Sequence, residues 1–144
     1  MAGLKTEEDY QTYRTEALNI EKNLREKCGF MSVFYAGRDL KTMAEFQAQN
    51  LSMHDDFLAL RESKYFLLIY PDRIVSSVLF EAGWALAMGK SSVYYVRDRD
   101  DLPFLMAEAG NANVASKVRI YEYGKKGRRE IFHLIKEHGE KLWA

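Results

Sequence analysis

The chain has 144 residues, 47% of them hydrophobic and 29% charged, with acids and bases balanced to a formal net charge of zero. This is the composition of one globular domain spanning 1–144, large enough to bury a core. No overall field draws it to polyanions, so nucleic acid is not an expected partner. Cys28 is the only cysteine, which excludes an intramolecular disulfide and a multi-cysteine zinc site. No leader peptide and no apolar run of membrane-spanning length is visible, so a cytoplasmic protein with no membrane contact is expected.

From Glu7 to Lys27, the spacing of Tyr10, Tyr13, Ala17, Ile20 and Leu24 defines one face of a helix that Gly29 ends. Cys28 at that end reads as a buried, inert thiol. The run Phe30 to Ala36 (FMSVFYA) reads as a strand, with Gly37, Arg38 and Asp39 in the loop at its carboxyl end. A less regular helical region follows over about Lys41 to Arg61, with a break expected between Asn50 and Asp56.

The centre of the chain is Lys64 to Lys90. Tyr65 to Tyr70 is a continuous apolar run bounded by Pro71-Asp72, as in a strand buried on both faces of a parallel sheet. Ile74 to Met88 then carries helical spacing in Val75, Val78, Leu79, Ala82 and Leu86. Asp72 or Ser76 is expected to cap its start, and Gly89-Lys90 marks its stop. Glu81 falls at the edge of the buried face, directed to the carboxyl edge of the sheet, where open parallel sheets bind ligands. A carboxylate among apolar neighbours has its pKa raised and can serve as acid, base, nucleophile or cation stabiliser. The competing reading is an ordinary structural ion pair.

Ser91 to Val96 reads as a third strand, Arg97 to Asp101 as a loop of mutually paired charges, and Leu102 to Ala109 as a short helix with Pro103 in its first turn. Lys117 to Tyr123 reads as an edge strand. Gly127 to Leu142 reads as a last helix burying Ile131, Leu134, Ile135, His138 and Leu142. Short strands alternating with helices define an α/β three-layer sandwich with a short, mainly parallel, flavodoxin-like sheet flanked by helices. Such domains usually begin with a strand. Here either Gly3 to Thr6 supplies a very short one, or the chain starts with its helix and leaves a sheet edge that a partner copy can fill.

Several chemistries lose support. There is no Walker loop, no GxGxxG after a strand and no HExxH helix. His54-Asp55-Asp56 are adjacent helical residues that diverge rather than converge on one metal ion. His133 and His138 fit core or surface roles, and Lys125 to Arg129 is a basic run of the kind usually solvated. Phe80 and Trp84, one turn apart, make their helix apolar nearly all round, which calls for a covering helix or a self-association surface.

The stretch YFLLIYPDRIVSSVLFEAGWALAMGKSSVYYV, the preceding RESKY and the Arg38-Asp39 pair after FMSVFYAG resemble the superfamily of TIR domains and nucleoside 2-deoxyribosyltransferases. The chain departs from that pattern at Ser77, where TIR domains usually carry a tryptophan, and lacks Pro-Gly after Asp39. The resemblance implies a nucleotide-binding domain that cleaves or exchanges an N-glycosidic bond, as an NAD glycohydrolase or deoxyribosyltransferase does. Glu81 would stabilise or capture the oxocarbenium-like sugar. Tyr35, Gly37, Arg38, Asp39, Tyr70, Asp72, Ser76 and Ser77 would line the substrate pocket. No metal and no cofactor is implied; NAD or another nucleotide is the substrate, and a homo-oligomer is expected. The alternative is a catalytically silent TIR-like module for protein interaction or self-assembly.

Overall fold

A computed structural model describes residues 5–47, 52–73, 77–112 and 117–144. Helix α1, Glu7–Cys28, starts where the Thr6 hydroxyl accepts the Asp9 amide at 3.1 Å, and three acids in its first turn suit the positive end of the helix. It stops at Gly29, whose left-handed backbone (φ 71°) sends its N–H back to Arg25 O. Tyr10, Ile20 and Leu24 are its buried residues, as the spacing predicts.

The predicted strand over Phe30 to Ala36 does not form: these residues lie outside the sheet. Side-chain contacts explain it. The Phe30 ring lies against both Tyr65 and Trp143, and the Val33 carbonyl accepts from the Arg38 guanidinium. The segment is thus held by packing and by a side-chain clasp, and leaves Met31 97% and Phe34 55% exposed. Strand propensity yields to tertiary context here.

Helices α2, Met43–Gln47, and α3, Ser52–Glu62, follow; most of the expected break between Asn50 and Asp56 is in fact helical, and residues 50 and 51 lie outside the described residues. Strand β1, Tyr65–Tyr70, leads to helix α4, Val78–Ala87, and strand β2, Ser91–Val96. Helix α5, Phe104–Ala112, strand β3, Val118–Glu122, and helix α6, Glu130–His138, complete the order. The start expected for α4 at Ile74 and its cap at Ser76 lie outside the described residues. Asp72 is not the cap, because its carboxylate is held by the Arg73 amide and by Arg97. The gap before Thr6 likewise leaves a strand over Gly3 to Thr6 undescribed, except that Thr6 itself serves as the α1 cap.

The three strands form an open, all-parallel sheet in the order β1-β2-β3, with Tyr65 opposite Ser91 and Ser92 opposite Val118. β2, in the middle, is buried almost throughout. β1, expected to be buried on both faces, is instead an outer strand and only partly covered. The crossover helices α4 and α5 lie on one side of the sheet. There Val78, Leu79, Ala82 and Leu86 of α4 and Met106 and Ala107 of α5 pack on Leu68, Tyr70, Tyr94 and Val96. On the other side, Ile20 and Leu24 of α1 and Ile131 and Ile135 of α6 pack on Val93 and Tyr95. This is the expected flavodoxin-like three-layer α/β sandwich.

The last helix is shorter than predicted. It ends at His138, and Gly139 (φ 55°) turns the chain into a 3-10 segment, Gly139–Trp143. His138, the last residue of α6, is exposed rather than part of the core. Leu142 and Trp143 enter the core instead, with the Trp143 indole N–H on Phe66 O at 3.0 Å. Cys28 is half-buried and its thiol is pushed up by burial, as an inert cysteine's is.

Candidate functional site

The turn from β1 into α4 places Glu81 in the first turn of α4, its amide bonded to Ser77 O at 3.2 Å. A helix amino end normally favours the ionised form of an acid. For Glu81 burial outweighs it: the carboxyl is pushed up to about 7 by desolvation first and by the charge of Asp56 second. Its helix neighbours Ala82 and Ala85 are buried, so the water it lacks is excluded by apolar side chains. Asp56 comes from α3, which is fastened to α4 by the edge-on contact of Phe57 with Trp84, ring centres 5.2 Å apart. The Asp56 carboxyl is itself raised, by burial and then by Asp55.

Among the described residues no cation pairs with Glu81 or Asp56. The charge of the chain's amino terminus acts on both carboxyls and offsets part of the rise. A carboxyl that titrates near neutrality, facing a second carboxylate, can hold or release a proton under working conditions. Asp56 is the residue that sequence reasoning passed over, since it was weighed only for metal binding; no group of the described residues is arranged to hold a metal ion. Its signal was a polar residue one turn before the buried Leu60, on the inward stripe of α3.

The remaining predicted site residues are scattered. Tyr35, Gly37, Arg38 and Asp39 lie against α1. Arg38 pairs with Glu21 at 2.6 Å, and Arg14 donates to Gly37 O at 3.1 Å and Arg38 O at 2.6 Å. The Tyr35 phenol covers Gly37, where a Cβ would run into its oxygen. That phenol is pushed up to about 12 by burial, and its hydroxyl is buried without a hydrogen bond among the described residues. Asp39 is exposed. Val33 of this region packs into the core on the α1 and α6 side of the sheet, whereas α4 covers the opposite side. No hydrogen bond, ion pair or ring contact among the described residues joins this loop to Glu81.

Tyr70 is a core residue beneath α4. Asp72 is drawn to the carboxyl edge of the sheet, where Arg97 bridges it at 3.1 Å to Asp101 at 2.9 Å, so the charges of the Arg97 loop do pair. Tyr123 donates to Pro71 O across the same edge at 3.2 Å. Ser77, exposed, is the first residue before α4 and makes no side-chain cap bond. Ser76 lies outside the described residues. Trp84 is covered by Phe57, while Phe80, stacked edge-on to Trp84 at 4.8 Å, stays 62% exposed.

Comparison with protein-family models, with curated proteins and with solved structures finds no match to this chain. Among the described residues, no helix is long and apolar enough to cross a membrane.

Proposed function

We propose that the domain binds a nucleotide or nucleoside, NAD or a deoxynucleoside, and breaks or exchanges its N-glycosidic bond through Glu81. The observation that carries the reading is a partly dried carboxyl in the first turn after β1, with no cation beside it among the described residues. In such a reaction the bond from the anomeric carbon to the base nitrogen breaks, its electron pair leaves with the base, and the sugar carbon becomes electron-poor. A carboxylate at that carbon stabilises the cation or forms an ester that water or a second base then opens. Asp56 supplies a second carboxyl, as proton acceptor for the incoming water. Ser77, at the open start of α4, is free to bond a sugar hydroxyl.

The test is to incubate the purified protein with NAD and, separately, with deoxynucleosides, and to follow released base by chromatography. Release by the wild type that is lost in Glu81→Gln is expected. No release, or equal release by the variant, overturns the enzymatic reading.

A second reading rests on Phe80. An exposed large ring stacked on Trp84 suits an interaction or self-assembly module, as part of an apolar contact patch. Light scattering over a concentration range decides it: mass rising with concentration, and flattened by Phe80→Ser, is its expected result.

A further inference from the structure

Among the described residues, β3 is hydrogen-bonded on one side only, to β2. The ladder begins with the Ser92 amide on Lys117 O at 2.8 Å and ends with the Tyr123 amide on Val96 O at 2.9 Å. Backbone groups alternate in direction along a strand, so Lys117, Arg119, Tyr121 and Tyr123 face β2. Those of Val118, Ile120 and Glu122 face away, and no backbone hydrogen bond from another described residue reaches them.

A cleft of about 300 Å³ lies along this edge, lined by Arg99, Gly110, Val118, Arg119, Ile120 and Tyr121. Residues from both faces of the strand line it, so it follows the backbone edge rather than either face. α5 comes close at Gly110, where a Cβ would meet Ile120 Cδ1 at 2.9 Å. The cleft is cationic. Lys117 and Arg119 are exposed and have no ion pair among the described residues, and Arg99 is fixed beside them by Ala107 O and by Asn111 Oδ1 at 3.0 Å. Glu122, at the far end, accepts the Arg99 amide at 2.7 Å.

We propose that the outer edge of β3 takes up an extended acidic peptide of a partner protein as an added strand. Its backbone completes the outward groups of Val118, Ile120 and Glu122, and its carboxylates meet Lys117, Arg119 and Arg99. A small anion would satisfy the outward N–H groups and leave the carbonyls unmet, whereas a strand supplies donors and acceptors in alternation. A second copy fits less well. Two-fold antiparallel pairing sets each residue opposite one of its own face, so Lys117 and Arg119 would meet each other or the tyrosines and never Glu122.

The probe is a short capped peptide of alternating glutamate and valine, added to the full chain and followed by amide hydrogen exchange and fluorescence anisotropy. Exchange at Val118, Ile120 and Glu122 is expected to slow at least about tenfold, while Arg119 and Tyr121, already bonded to β2, change little. Arg119→Glu, at an exposed side chain, is expected to weaken binding at least about tenfold, and the lysine-valine peptide to bind the variant better than the wild type. Absence of binding overturns the proposal. So does unchanged exchange at the three outward amides, or equal binding of an acidic peptide N-methylated at alternate residues, which would show charge attraction without strand addition.

Discussion

Asp56 on α3 lies close enough to Glu81 on α4 for its charge to raise the Glu81 pKa across the seam between their helices, and among the described residues neither forms an ion pair. The arrangement is costly to the fold when both are ionised, and it is kept where the chain turns from strand to helix.

The cost has a direction that denaturation can read. Glu81 titrates at about 7 in the folded protein against an ordinary 4.5, so between those values the native state holds a proton that the unfolded chain has lost. Stability therefore falls as pH rises through this window, by up to roughly 3–4 kcal/mol at about 1.4 kcal/mol per pH unit. Urea unfolding of Glu81→Gln across the same range is expected to show a flatter profile, with the variant more stable than the wild type above pH about 7.

Asp56→Asn removes the second cause of the raised Glu81 pKa. The Glu81 midpoint is expected to move down while burial keeps it above the ordinary carboxylate range. If base release depends on the pair, its pH profile moves in the same direction, which a rate measurement across pH checks.

Arg38 is engaged with Glu21 and the Val33 carbonyl, so its removal should act on the fold. Arg38→Ala is expected to cost about 1–2 kcal/mol in urea unfolding, because the half-buried Glu21 keeps only Arg25, at 3.3 Å. Under the proposed function, nucleotide affinity read by calorimetry is expected to stay unchanged.

Tyr35→Phe removes a buried hydroxyl that has no hydrogen bond. It is expected to leave stability unchanged or raise it by about 0.5–1 kcal/mol. Gly37→Ala should do the opposite, costing about 1–3 kcal/mol by driving a methyl into the same ring. Thermal unfolding of the two variants separates these effects.

β1, β2, β3 and α1 were legible because each carries a pattern that its own burial explains: continuous apolar runs for the first two, edge alternation for the third, and a helical stripe closed by Gly29. FMSVFYA misled because an apolar, aromatic segment reads the same whether its rings pack as a strand or, like Phe30, lodge singly against Tyr65 and Trp143. The end of α6 was missed for a related reason, since Leu142 keeps apparent helical spacing across the turn at Gly139. Glu81 stood out by its place after β1. Its neighbour Asp56 did not, because a contact between separate helices leaves no local pattern. Arg38 looked available for a ligand, and only the folded chain reveals Glu21 beside it.

The most direct measurement is a carbon-detected NMR titration of the Glu81 side-chain carboxyl in the folded protein. A midpoint near 7 is expected, with normal behaviour restored on unfolding. A midpoint at or below the ordinary value of 4.5 would mean that water or a cation reaches the group, and would contradict the account.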